Sequence, residues 1–402
     1  MKKTTILTGL AILLLAGAMI FTGCKKEVES LDVDPVSIVL AVGEEYRLSA
    51  DVRPKNAPQD VEWYTTNPHV AAVDGNGVVT ALKIGVCNIK LYAGASAAAC
   101  QVTVVRKRVE HFFSVNDLGD RLQFAPGNLQ YQASTNRWRF AEHQYEYVGG
   151  SGKNAGNVPG SDNLLVSPRY DGWIDLFSWA TSGWHDVRDS LNIYYRPWDI
   201  NFDPIPAPEH NRYGFGPSRF MPDVNLTGSS ARYDWGVCNP IYNPQTKTTD
   251  SAVTWRLPTF DERQYIFFNR TTASGVRFSR AVVHGVNGFV VFPDDWDMNI
   301  RIFKDPNITS GYFGKNVLED DEWILCEAEG CVFLPCMGDY TRITYQGEVA
   351  ASSLSWRANN ADYWTSTAMP EKTSWVYTMF QGPYGRCSTD KLSVRLIRMF
   401  RK

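Results

Sequence analysis

Between Val36 and Val105, short apolar or alternating runs recur seven times, over approximately 36–42, 45–52, 61–65, 70–73, 78–82, 86–92 and 98–105. Turn residues separate them throughout, among them Pro54-Lys55-Asn56-Ala57-Pro58, Asn67-Pro68 and Asp74-Gly75-Asn76-Gly77. Strands this short and this evenly interrupted leave no segment with a helical period, so the region predicts an all-β sandwich rather than βαβ units. In the last pair of runs Cys87, Ile89 and Leu91 share one face, and Cys100, Val102 and Val104 share a face of the partner, because successive side chains on a strand alternate. Both cysteines should point inward. Trp63 is expected in the core, since one large indole supplies apolar area that a small sandwich needs.

Ahead of this region, Lys2 and Lys3 lead into an apolar run from Ile6 to Phe21, followed by Thr22-Gly23-Cys24. That layout is a signal peptide over residues 1–23, since an apolar stretch of about 16 residues is short for a span of about 20. Thr22-Gly23-Cys24 resembles a bacterial lipoprotein box, which implies that Cys24 is lipidated and heads the mature chain. Acyl chains contribute about 0.8 kcal/mol per buried methylene, so several of them on Cys24 make a lasting anchor. Residues 24–35 then read as a polar tether. Its lysines followed by acids look like the surface-export signals of Bacteroidetes-type lipoproteins, so the expectation is an outer-membrane lipoprotein displayed on the cell surface.

The run VEWYTTNPHVAAVDGNGVVTALKIG, from Val61 to Gly85, resembles the bacterial immunoglobulin-like group 2 domains. The implied domain covers 36–105 and acts as a spacer or adhesive module, with no catalytic residue.

Twelve of the thirteen tryptophans lie between Trp138 and Trp375, so a ligand is sought in the second region, 110–402. Gly and Pro recur from Gly149 to Pro244, which predicts a long loop-rich insertion packed by its own aromatics. In Trp255 to Arg270 a helix is expected, with Thr259 capping its start and Glu262 three residues on completing a capping box. Candidate strands follow at Gly288–Phe292, Cys331–Leu334, Tyr363–Thr367, Trp375–Phe380 and Leu392–Met399, a pattern that suggests α+β with an antiparallel sheet. WRLPTFDE, Phe333 to Pro335, Tyr363 to Thr367 and Ser393 to Arg398, with Phe124 to Gln132 and Gly172 to His185 upstream, resemble the Fibrobacter-type major paralogous domain. This family is related to the formylglycine-generating-enzyme and C-type-lectin-like fold. The resemblance implies an α+β C-type-lectin-like domain with a loop-rich ligand face, following the immunoglobulin-like sandwich.

Function classes narrow from here. With 40 basic against 43 acidic residues there is no positive excess to hold a polyphosphate, so nucleic acid is not an expected partner. The eight cysteines and six histidines show no metal-ligand spacing, and no Gly-x-Ser-x-Gly elbow is present, so no catalytic residue, metal or cofactor is assigned. Two readings of Cys87 and Cys100 stand: a disulfide, suited to an exported protein, and two small buried thiols. Trp173, Trp179 and Trp184, with Asp171 and Asp175 interleaved, read either as core or as a stacking platform for a sugar ring. In Gln381 to Asp390, Tyr384, Arg386 and Asp390 combine an aromatic plane with both charge signs on a Gly-rich loop, and on a lectin-like fold late loops often form the recognition face. The candidate ligand residues are therefore Tyr384, Arg386, Asp390, Trp173 and Trp184. The expected function is a non-catalytic adhesion or binding protein for glycan or protein ligands. The alternatives are an assembly subunit of a surface complex or fimbria and a thiol-oxidising enzyme.

Overall fold

A computed structural model describes residues 26–106, 111–150, 152, 155–163, 169–182, 224–345, 348–355, 361–369, 375–378, 386–387 and 390–400. The chain divides into two compact units, one of Met1–Ile38, Glu45–Thr80 and Cys87–Val102, the other of Val39–Glu44, Ala81–Val86 and Thr103–Lys402. The boundary thus runs through the strands of the N-terminal sandwich.

Nine strands build that sandwich: β1 Ser30–Asp34, β2 Ser37–Ala41, β3 Glu45–Arg47, β4 Ser49–Arg53, β5 Glu62–Thr65, β6 Ala71–Val73, β7 Val78–Ala81, β8 Gly85–Ala93 and β9 Ser96–Val105. They form a four-stranded sheet in the order β2-β9-β8-β5, a three-stranded sheet β3-β7-β6 and the pair β1-β4. Alternation explains the core: Ile89 and Leu91 from β8 and Val102 and Val104 from β9 are fully covered, as are Val52 and Val79. Cys87 and Cys100 lie on the same inward faces, 3% and 0% exposed. Trp63 is only partly buried. Its ring lies over Gly77, where a Cβ would come within 2.7 Å and where φ is +74°, so this turn requires glycine twice over.

One strand falls where the sequence reads as tether. β1 pairs antiparallel with β4, Leu31 opposite Val52 and Val33 opposite Ala50, and both its apolar side chains are buried. Two inward residues set among acids suffice for a strand, though not for a visible apolar run.

The second unit continues with β10 Phe113–Ser114, β11 Arg121–Phe124, β12 Leu129–Gln132, β13 Arg137–Phe140, β14 Trp173–Ile174, β15 Phe177–Ser178, α1 Trp235–Cys238, β16 Ile241–Asn243, β17 Thr248–Asp250, α2 Phe260–Gln264, β18 Phe278–Val283, β19 Val286–Val291, β20 Val317–Leu318, α3 Asp320–Ala328, β21 Val332–Pro335, β22 Asp339–Tyr345, β23 Glu348–Ser355, β24 Trp364–Ala368, β25 Trp375–Thr378, β26 Arg386–Cys387, β27 Lys391–Leu392 and β28 Ile397–Met399. These strands assort into small sheets, β10-β11-β28, β14-β12-β13-β16-β17, β15-β27-β22-β23, β20-β18-β19-β21 and β24-β25-β26. The unit is mostly β with few and short helices. The tryptophans supply core: Trp179, Trp235, Trp296, Trp323 and Trp364 are each at most 1% exposed.

Within 255–270 the helix starts after Thr259, the expected cap. Pro258 disfavours helical backbone at Leu257, and Arg256 is extended, exchanging both backbone hydrogen bonds with Ile397 at 2.8 and 2.9 Å. From Phe260 the helix runs as expected, with Thr259 Oγ1 accepting from the Glu262 amide and Glu262 accepting from the Thr259 amide. It closes in a π-helical turn at Tyr265–Asn269.

Candidate functional site

Cys24, Trp184 and Tyr384 lie outside the described residues. Arg386 donates through Nε and Nη2 to Asp362 Oδ2, at 3.2 and 2.5 Å, and Asp362 is 2% exposed. The Arg386 guanidinium is thus held by a buried carboxylate. Asp390 is buried as well, at 4%.

Trp173 sits partly buried on the edge strand β14, opposite Gln132, and the Arg139 guanidinium stacks 3.9 Å from its ring centroid. One indole face is therefore covered by a cation. Trp179 belongs to the core, its Nε1 donating to the Thr365 carbonyl at 2.9 Å. Asp175 is fully buried and accepts from Asn163 Nδ2 at 2.8 Å and the Val148 amide at 2.7 Å. Burial pushes its carboxyl up to about 7. It ties the segment near Val148 and Asn163 to β14, so Trp179 and Asp175 serve the interior rather than a surface beside Trp173.

Cys87 on β8 and Cys100 on β9 are both buried in the sandwich. Burial, with Cys87 beside it, pushes Cys100 up to about 11. In the second unit Cys326 and Cys331 occupy the end of α3: the Cys331 amide bonds the Cys326 carbonyl and the Gly330 amide bonds the Glu327 carbonyl, each at 2.9 Å. This is a Schellman ending, with Gly330 at φ +83°. Burial raises the Cys331 and Cys336 thiols well above the ordinary range, which makes them poor nucleophiles and poor metal ligands. Among the described residues no three His, Cys, Asp or Glu side chains converge to hold a metal.

A concave site lies elsewhere in the second unit. Val237 on α1, Ala252, Val253 and Thr254 after β17, Arg256, and Arg398 and Met399 on β28 enclose a half-open cleft of about 550 Å³. Its frame is locked by Asp234, the N-cap of α1, which accepts from the Gly236 amide at 3.0 Å and the Leu257 amide at 2.7 Å. Burial raises the Asp234 carboxyl to about 7. A Cβ on Gly236 would stand 2.5 Å from the Trp255 carbonyl, so α1 closes on this wall only with glycine there. The rim residue Val253 is 72% exposed and has φ +72°, a strained region for a β-branched side chain. It is held by its amide bond to the Gly236 carbonyl at 3.0 Å.

Two arginines line this cleft and differ in their partners. Arg256 is neutralised by Glu262 through both Nη atoms. Arg398 donates through Nε and Nη2 to the Gln123 side-chain oxygen, at 3.0 and 2.8 Å, across the β11-β28 pair that sets the two residues opposite each other. Its Cζ stands 5.0 Å from the Trp255 ring centroid. No carboxylate bonds Arg398 among the described residues. In the sequence Arg398 is only the end of the run Ser393 to Arg398, and nothing local marks Val253. Arg395, just before β28, has another role: it is fully buried and donates to Asn128 Oδ1, the Ala125 carbonyl and the Phe333 carbonyl.

Comparison with known proteins bears on the N-terminal region. The model of the bacterial Ig-like domain (group 2) matches residues 27–104. This segment is a bacterial immunoglobulin-like domain. The match begins nine residues before Val36, in keeping with the extra strand β1. No curated protein matches the chain. Among solved structures, the S-layer protein rSbsC(31-844) is 16% identical over 23% of this chain and 16% of its own length, with a TM-score of 0.19. A bacterial Ig-like domain containing GH10 xylanase from termite gut is 26% identical over 19% and 20%, with a TM-score of 0.16. An EHEC O157:H7 intimin mutant is 18% identical over 21% and 52%, with a TM-score of 0.17. The chain thus spans between 16% and 52% of the length of these structures, and at such TM-scores they carry no argument about function.

Proposed function

We propose that the chain is a lipid-anchored binding protein of the bacterial cell surface, with Cys24 as the lipidated residue and a C-type-lectin-like second unit that takes a glycan or protein ligand without transforming it. The observation that carries this reading is chain order: a lipoprotein-like cysteine, then a bacterial immunoglobulin-like domain at 27–104, then a unit whose half-open cleft presents an arginine with no carboxylate on it among the described residues. Burial raises the Cys331 and Cys336 thiols well above the ordinary range, which favours binding over thiol oxidation at those two residues.

The test is a screen of the fragment Lys25 to Lys402 on mucin, polysaccharide and protein arrays. Reproducible retention of a ligand class supports the reading. A blank screen, together with recovery of the native protein in a stable complex after mild detergent extraction, replaces it with an assembly subunit.

A further inference from the structure

The geometry of the cleft points to a site for a carboxylate on an aliphatic body, and we propose that its ligand is the free C terminus of a peptide ending in an apolar residue. This rests on the reading of the second unit as a binding module and names what it binds.

Gln123 occupies one edge of the Arg398 guanidinium with a single neutral oxygen, and Nη1 has no hydrogen bond to the protein among the described residues. The Nη1 and Nη2 fork is therefore open to a bidentate acceptor, and a carboxylate matches that fork in spacing and in charge. The other guanidinium of the cleft already has its carboxylate, Glu262, so the site keeps one uncompensated positive charge. Arg398 is also preorganised. Gln123 fixes it in the plane and Trp255 supports it from below, so little side-chain freedom is lost when a ligand docks.

The lining selects the body attached to the carboxylate. Val237, Ala252, Val253 and Met399 are aliphatic, Thr254 offers one hydroxyl, and the Trp255 ring is only 3% exposed. A uronic acid would bring several hydroxyls with few partners and would find no open aromatic face to stack on, at a cost in unmatched polar groups. An apolar last side chain lies against Val253 and Met399 without that cost. The strained, exposed Val253 fits the same role: a ligand covering it removes an apolar surface from water that the unoccupied rim leaves exposed.

The test uses Lys25 to Lys402 on an array of hexapeptides carrying each of the twenty amino acids at the last position, printed in parallel with free and amidated C termini, beside oligogalacturonate. The expected result is retention on free-acid peptides ending in Leu, Ile, Val, Met or Phe, at least tenfold above their amides, declining as salt rises. Arg398→Gln should abolish the acid-over-amide preference and Arg398→Lys should keep part of it, both with a melting temperature close to that of the parent. Equal retention of acids and amides, or retention of oligogalacturonate alone, overturns the peptide C terminus while leaving a binding protein. Retention of nothing on the array overturns the inference, and the wider screen then decides the reading beneath it.

Discussion

At the scale of single residues, the second unit places ionisable groups in its interior and satisfies them with fixed partners. Arg395 is the extreme case, fully buried, bonded to one amide oxygen and two carbonyls, and lowered by burial to about 10. Replacing it by methionine keeps the bulk but leaves three buried acceptors without donors. Each such group costs about 1–3 kcal/mol, so Arg395→Met should destabilise the protein by about 3 kcal/mol or more, read as a large drop in thermal or urea midpoint. Asp234 and Asp175 carry a pH signature of the opposite kind. Burial lifts both carboxyls from 3.8 to about 7, so the native chain keeps protons that the unfolded chain releases near pH 4. Their contribution to stability is complete below about pH 4 and is lost as pH rises through 7. Stability of the parent should therefore fall between pH 5 and pH 8 more steeply than that of Asp234→Asn. Urea titrations at several pH values measure the two slopes, and equal slopes would remove Asp234 from the account.

At the scale of elements, what was legible in the sequence was local. The capping box of Thr259 and Glu262 could be read because its parts are three residues apart, and it forms as expected. Thr259→Ala should cost about 1 kcal/mol, visible as a modest fall in melting temperature, whereas Thr259→Ser should be nearly neutral. The strands of the sandwich were legible for the same reason, through short apolar or alternating runs, and β1 was not, because Leu31 and Val33 are its only buried side chains. Two-residue strands such as β14 and β26 leave no period to read. What the local pattern does not show is that Arg256, ahead of the Thr259 cap, answers to Ile397, over a hundred positions away, rather than to its neighbours.

The whole-molecule features were the least legible. The cleft assembles Val237, Ala252, Val253, Thr254 and Arg256 with Arg398 and Met399 from separate stretches, and no local pattern distinguishes Arg398, which faces the cleft, from Arg395, which is sealed in the core. Composition drew attention instead to the tryptophans and to a polar late loop. Trp179 went into the core and Arg386 to a buried aspartate, since large rings and unlike charges can satisfy each other inside the molecule as readily as they can face a ligand. The proposed lipid anchor at Cys24 is likewise a matter of the whole chain. Cys24→Ala should abolish incorporation of labelled palmitate and move the protein from the membrane fraction to the soluble one, and unchanged labelling would place the lipid elsewhere. The central claim is that the anchored molecule recognises a ligand and leaves it intact. The most direct test is to incubate the purified full chain with the ligand its array screen returns, then elute that ligand and compare its mass with the input. The account predicts saturable retention and an unaltered mass. Progressive conversion of the bound compound at catalytic amounts of protein would contradict it.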